Sequence, residues 1–347
     1  GPTRAADRLL ALEYGPVAAT NRGTTMANVG TSAEVGQVGS GGPESGRRGN
    51  RCEILVTNGS TADKASRTGA TRVRRLFSLA AGLVLVLPLC QASPWSRVRF
   101  PSPGPSDAIG SAANGCLGGA VPLPAQGPGY VSIRRERNRY YAHPELLAFV
   151  RHLGAVLNRH TSELMMVGDL SQPRGGIMSS SHRSHQNGLD VDIWFSLAPS
   201  ARAAIRDNPE GRDPPSMVSR DGRHLSPAWG ADQRLLLKTA AEDPRVDRIF
   251  VNPVIKQALC ATATGSHSWL HKIRPWWGHE AHFHIRIHCP KGSPDCDAQA
   301  PVPAGDGCGR DLAWWFTPEA RTPSKRKGGP HPEPIMPAAC RAVLAGS

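Results

Sequence analysis

The chain has 347 residues, with 41 lysines and arginines against 28 aspartates and glutamates, so its formal charge is +13 with histidine neutral. Its 37 glycines and 31 prolines make about a fifth of the whole and only 5 % is aromatic, a loop-rich composition that excludes a helical bundle. No apolar run reaches the roughly 18 to 20 residues of a bilayer-spanning helix, the best being residues 76–89, broken by Gly82 and Pro88, so a polytopic membrane protein is excluded too.

Residues 1–72 are rich in Gly, Ser, Thr, Arg and Ala, lack a sustained apolar period and are expected to form no packed core. Arg72, Arg74 and Arg75, the apolar residues 76–89 and the small-residue site Gln91-Ala92-Ser93 read as a secretory signal, assigned to residues 73–92. A signal belongs at a true N-terminus, so the native start is expected near Val73, with residues 1–72 a non-native or disordered extension. A buried core helix fits less well, because a basic cluster precedes the apolar stretch and a Pro/Ser/Gly-rich segment follows it. Without residues 1–92 the chain keeps 30 basic and 22 acidic residues, a charge of +8, and six of its eight cysteines. An even set in an exported chain predicts disulfides. Spacing alone favours only Cys289 with Cys296, and the lack of any C-x-x-C pair argues against a zinc ribbon.

Residues 93–129 are Pro/Gly-rich and are expected to wrap an edge of the domain, tied down at Cys116. Pro144 suits a first helical turn, and Leu146, Leu147, Phe149, Val150, Leu153, Val156 and Leu157 recur at spacings of three and four, which predicts a helix. Residues 164–167 read as a short buried strand running into the loop 168–176, and a second strand centres on Val191-Asp192-Ile193-Trp194. Residues 199–228 form a polar insertion too long for a plain connection, of the size functional loops often have. A helix over 232–241, a strand over 246–251 and a helix that starts at Asn252-Pro253 and leads to Cys260 follow. This irregular order predicts an α+β domain with a small antiparallel sheet over 93–320, then a basic Pro-rich tail over 321–347.

Eight of the 13 histidines lie between His182 and His284, clustered at the two ends of that span. Strand alternation sends Leu189, Val191 and Ile193 to one face and Asp190 and Asp192 to the other; in the second cluster Phe283, Ile285 and Ile287 oppose His282, His284 and Arg286. Two histidines one pleat apart, roughly 6.5 to 7 Å between alpha carbons, can serve one site as ligand and base. His143, His152, His160, His267, His271 and His331 are read as ordinary surface or core groups. His185, Asp192, His282 and His284 are not, because imidazoles and carboxylates converging on one sheet face are unfavourable to build without a metal, and this donor set suits Zn²⁺. The run His279-Glu280-Ala281-His282 is one residue short of H-E-x-x-H and precedes a strand, so a zincin is rejected.

The pattern of His182, His185 and Asp192 followed by His282-x-His284 resembles the LAS group of zinc peptidases, which includes lysostaphin-type and D-Ala-D-Ala peptidases. The longer runs are similar to the penicillin-insensitive murein endopeptidase family: Gly168-Asp169-Leu170-Ser171 with Pro173-Arg174-Gly175-Gly176, Ser184-His185-Gln186 with Gly188-Leu189-Asp190-Val191-Asp192, Arg248-Ile249-Phe250-Val251-Asn252-Pro253, and Trp277-Gly278-His279 with Ala281-His282-Phe283-His284. The likeness covers about residues 115–318 and could extend to Cys340. It implies an LAS/hedgehog-type peptidase fold with His185, Asp192 and His284 as zinc ligands, choosing Asp192 over Asp190 where spacing could not. It further implies that His282 is the base or proton shuttle and His279 a nearby helper. Some family members have another metal-binding set, to which His182, Asp221 and His224 correspond. The implied disulfides are Cys289 with Cys296, Cys260 with Cys308 and Cys116 with Cys340.

The implied reaction is hydrolysis of D-alanyl-meso-diaminopimelyl cross-links in peptidoglycan by a zinc-activated water, with no serine for penicillin to trap. Arg174 and Arg286 could hold a stem-peptide carboxylate, or merely balance the site's negative ligands or face solvent. The competing readings are a D,D- or L,D-carboxypeptidase on the same zinc fold and an inactive zinc-dependent wall-binding protein, which would not need His282 and His279. No nucleic-acid partner is expected, since the basic residues are dispersed. The expected setting is the periplasm, with no integral span in the mature chain and the oligomeric state open, a homodimer included. A charge of +8 suits an anionic wall.

Overall fold

Alternating apolar residues from the middle of the chain assemble a mixed sheet, described in a computed structural model over residues 93–179, 182–212, 214–321 and 335–346. In chain order the strands are β1 (Asp107–Ser111), β2 (Asn114–Gly118), β3 (Val121–Pro122), β4 (Gln126–Gly127), β5 (Tyr130–Ser132), β6 (Tyr141–Ala142), β7 (Leu164–Val167), β8 (Asp190–Ala198), β9 (Val246–Val251), β10 (Ile273–Pro275) and β11 (His282–Ile287). The α-helices are α1 (Pro144–Leu157), α2 (Ala201–Asp207), α3 (Ala231–Glu242), α4 (Pro253–Thr262), α5 (Arg310–Trp314), α6 (Pro318–Arg321) and α7 (Ala339–Ala345). The expected extension 1–72, the signal 73–92 and tail residues 322–334 lie outside the described residues.

Seven strands form the main sheet in the order β10-β9-β11-β8-β7-β5-β4. Its centre is antiparallel, β8 pairing with β7 and β11 and β11 with β9, but β5 runs parallel to β7 and β10 parallel to β9. The α+β class therefore holds, while the small antiparallel sheet is corrected to a larger mixed one. Strands of two or three residues, such as β4, β5 and β10, carry no readable period.

One face of the sheet carries the core. Val191, Ile193 and Phe195 of β8 and Phe283, Ile285 and Ile287 of β11 are buried with Leu146 and Leu153 of α1 and Leu236 and Leu237 of α3. α1 starts where its residues require: Pro144 occupies the first turn and His143 Nδ1 accepts from the Glu145 amide at 3.2 Å. α4 begins the same way, with the Asn252 side chain accepting from Val254 N at 3.0 Å ahead of Pro253. Within the insertion, α2 buries Ala204 against Val131, Met166 and Trp194 on the opposite sheet face, so part of that segment is packed structure.

Three disulfides join Cys116 to Cys340, Cys260 to Cys308 and Cys289 to Cys296, the pairs the family resemblance implies. The first brings α7 back onto the β1–β2 hairpin, where Trp95, Ile109 and Val343 are buried with the two cysteines. The loop 173–176 is part of the same closure. Arg174 donates to Leu344 O at 2.6 Å and Phe100 O at 3.1 Å, and Gly175, at φ +66, lies where a Cβ would sit 1.9 Å from Gln186 O. Lys256 on α4 is fully buried, its Nζ donating to Leu270 O and Asp306 O, both at 2.6 Å.

Replacing both Cys116 and Cys340 by alanine should lower unfolding free energy by about 2–5 kcal/mol in denaturant titrations, as loss of a native cross-link commonly does; an unchanged midpoint would remove α7 from the stability account. Burial pushes the Lys256 ammonium from its ordinary 10.5 down to about 7. The unfolded chain then binds the extra proton between those values, so this residue makes stability rise as pH increases from about 7 towards 10.5. Lys256→Met should flatten that rise in urea unfolding followed across the same window.

Candidate metal centre

β8 and β11 place Arg286 opposite Asp190, His284 opposite Asp192 and His282 opposite Trp194. Alternation therefore gathers Asp190, Asp192, His282, His284 and Arg286 on the face away from α1 and α3. His182 and His185 reach the same face from the loop preceding β8. His185 takes φ +68, a left-handed conformation that a non-glycine residue adopts only where its surroundings enforce it. The enforcing contacts come from the hairpin: Gln186 N donates to Ala112 O at 2.9 Å, Gln186 Nε2 to Ala113 O at 2.8 Å and Asn187 Nδ2 to Gly110 O at 3.1 Å. The His185 amide donates to Asp190 Oδ2 at 3.2 Å.

Asp192 is the centre of the cluster. Its Oδ2 is 3.5 Å from His185 Nε2 and 3.6 Å from His182 Nδ1, and its Oδ1 is 3.1 Å from His284 Nδ1 and 3.8 Å from His282 Nε2. His182, His185 and Asp192 each offer a ligand atom within 4.8 Å of the others. Both ring nitrogens of His185 are buried without a hydrogen-bond partner. Leaving such groups unmet costs roughly 1–3 kcal/mol each, so the residues fit a cation taken up by imidazole nitrogens and a carboxylate.

Charge balance points the same way. Burial would raise the Asp192 carboxyl, but His185 and His282 outweigh it and hold it well below the usual range. Burial likewise opposes ionisation of Asp190, and Arg286 and His284 overcome it. His284 stands between the two carboxylates, with Nε2 3.2 Å from Asp190 Oδ2; burial would lower its pKa, yet the pair raises it to about 9. Burial pushes the pKa of His282 down and that of His279 well down, which disfavours their protonated forms. His279 is held by its Nδ1, 3.1 Å from Trp277 O, with its ring centred 5.1 Å from that of His282.

The two strand carboxylates therefore divide. Asp192 faces His182 and His185, whereas Asp190 takes a bidentate grip from Arg286, with Nε and Nη2 both at 2.8 Å, and Arg286 Nη1 donates to Gln299 Oε1 at 2.8 Å. Of the readings open for Arg286 and Arg174, the geometry favours internal ones, since Arg286 grips Asp190 and Arg174 donates to the carbonyls of Phe100 and Leu344. The structure brings His182 to His185 and Asp192, while Asp221 and His224 sit on an exposed turn, where Ser219 Oγ donates to Asp221 Oδ1 at 2.6 Å. The stem of that turn is anchored beside the site, Met217 N donating to Glu280 O at 2.8 Å. Sequence reading assigned no role to Asp169, a buried acid against His182 whose other partners, Arg137 and Arg139, belong to no motif.

Comparison with known proteins adds an independent line. Residues 108–345 match the family model described as penicillin-insensitive murein endopeptidase. The chain is 42 % identical over 263 residues to the penicillin-insensitive murein endopeptidase of Yersinia enterocolitica, covering 76 % of this chain and 94 % of that one. Proteins of the same name from Pectobacterium atrosepticum and Klebsiella pneumoniae are each 42 % identical, over 78 % and 73 % of this chain and 95 % and 91 % of theirs.

Arg286→Ala should strand the buried Asp190 carboxylate and destabilise the fold by about 3–5 kcal/mol in urea titration. A substrate-binding arginine would instead raise KM and leave the unfolding midpoint in place.

Proposed function

The chain belongs to the penicillin-insensitive murein endopeptidase family, and from that premise we propose that it is a zinc-dependent endopeptidase that cleaves D-alanyl-meso-diaminopimelyl cross-links in peptidoglycan. The observation that carries the reading is the convergence of His185, Asp192 and His284, with His182 beside them and His282 at their edge. His185, Asp192 and His284 would hold the zinc. When bound, zinc supplies Lewis acidity towards the scissile carbonyl and makes a water nucleophilic near neutral pH.

The protein's own groups do the rest. His282, whose protonated form burial disfavours, takes the proton of the attacking water at its imidazole and delivers it to the leaving amine nitrogen. His279 stays close to His282, and its Nδ1–H to Trp277 O leaves Nε2 as the acceptor. Asp190 fixes His284 through its Nε2 and is itself fixed by Arg286. Because hydrolysis uses no acyl-enzyme on serine, a β-lactam has nothing to acylate. Three disulfides support an oxidising compartment, in keeping with an exported, periplasmic enzyme working on the wall. Asp221 and His224 are proposed to join His182 in a second metal set beside the first.

The decisive experiment incubates the purified protein with cross-linked muropeptide dimers, with and without zinc, a chelator and penicillin. Release of monomers that chelation abolishes and penicillin does not is the expected result. Removal of only a terminal D-alanine would make the enzyme a carboxypeptidase, and no product under any condition would overturn the assignment. His282→Ala should keep its zinc by elemental analysis and lose about 10²- to 10⁴-fold in kcat; a full rate would reject His282 as the base.

A further inference from the structure

We propose that Asp169 is a positioning residue that holds His182 at the metal centre, with Arg137 and Arg139 fixing its carboxylate in place. The proposal rests on the zinc reading above and concerns a residue that reading does not use. Asp169 follows β7 in the loop that also carries Arg174, and it is buried. Its Oδ2 is 3.2 Å from His182 Nε2, while His182 Nδ1, on the opposite edge of the ring, is 3.6 Å from Asp192 Oδ2. A carboxylate accepts and cannot donate, so this contact fixes an imidazole proton on Nε2 and turns Nδ1 towards the cluster, where it is the nitrogen that a metal beside Asp192 would use.

Three features make Asp169 a fixed support. Arg137 Nη1 donates to both oxygens, at 3.1 and 3.2 Å, and Arg139 Nη1 donates to Oδ2 at 2.9 Å. Those donors commit the carboxylate to its supporting role and keep its oxygens from competing for the metal. The main chain also couples Asp169 to the cluster's central ligand: Asp192 N donates to Asp169 O at 3.0 Å, and Gly168 N to Asp192 O at 2.9 Å. One short segment therefore sets the backbone of Asp192 and the ring of His182 together. Arg137 continues outwards, gripping Glu210 of the 199–228 insertion with Nε at 2.5 Å and Nη2 at 2.6 Å, so the insertion is tied to the same support.

The test uses the full chain carrying Asp169→Asn, which keeps the size of the side chain, and Asp169→Ala, each alone and combined with His182→Ala. Thermal unfolding of the metal-free proteins checks folding. Zinc affinity is read by competition with a chromophoric chelator, and the ligand field by the visible absorption of the Co²⁺-loaded protein. Asp169→Asn should weaken the metal held through His182 about 10- to 100-fold and shift the Co²⁺ bands, as loss of a supporting carboxylate does at histidine-ligated metals. In the His182→Ala background the same change should add no further loss, because Asp169 acts through His182. Wild-type affinity and spectrum in Asp169→Asn, or losses that add in the double variant, would overturn the positioning role and leave the zinc reading standing. A wild-type protein that takes up neither Zn²⁺ nor Co²⁺ would overturn both.

Discussion

Slip the pairing of β8 with β11 by one residue and His282, His284 and Arg286 would oppose the wrong partners and lose their common face with Asp190 and Asp192. The register is therefore the constraint on which the rest depends. It is locked on both faces of the sheet at once. On one side Phe283 and Ile285 lie in the core with Val191 and Ile193, and on the other Arg286 grips the carboxylate directly across from it. Apolar packing and a buried ion pair thus demand the same alignment, and a slipped register would satisfy neither.

Given that register, the polar face has to settle its own charges. Two carboxylates buried side by side would each be driven towards the neutral acid, and each is kept ionised chiefly by different neighbours. Asp190 uses Arg286, a permanent charge, and so remains committed whatever else enters the site. Asp192 uses imidazoles, whose ring nitrogens can also take a metal. That difference in partner chemistry explains why two aspartates one pleat apart serve different ends.

Much of this was legible from the sequence. The helix at 144–157, the strands at 164–167 and 246–251 and the facing of the two histidine-bearing strands follow from period and caps, because each is long enough to show its pattern. The hairpin β1–β2 was not, since Asp107-Ala108-Ile109-Gly110-Ser111 and Asn114-Gly115-Cys116-Leu117-Gly118 carry no polar–apolar alternation and gain their order from partners elsewhere in the chain. The choice between Asp190 and Asp192 needed the family likeness or the fold, because both point the same way from one strand. Asp169 stood in a family-like run without a role for a similar reason: a carboxylate acquires meaning only when the imidazole and two guanidinium groups around it arrive from other parts of the chain.

The bridge between Cys116 and Cys340 spans 224 positions of sequence. The hairpin that braces the loop of His185 is sealed at its back by α7, among the last residues of the domain to be synthesised. A chain broken off between Ile287 and Cys340 would carry every imidazole and carboxylate of the centre yet lack the piece that closes the scaffold beneath them. The closure acts as a check on completeness: a hydrolase made without α7 cannot finish the brace under its own centre.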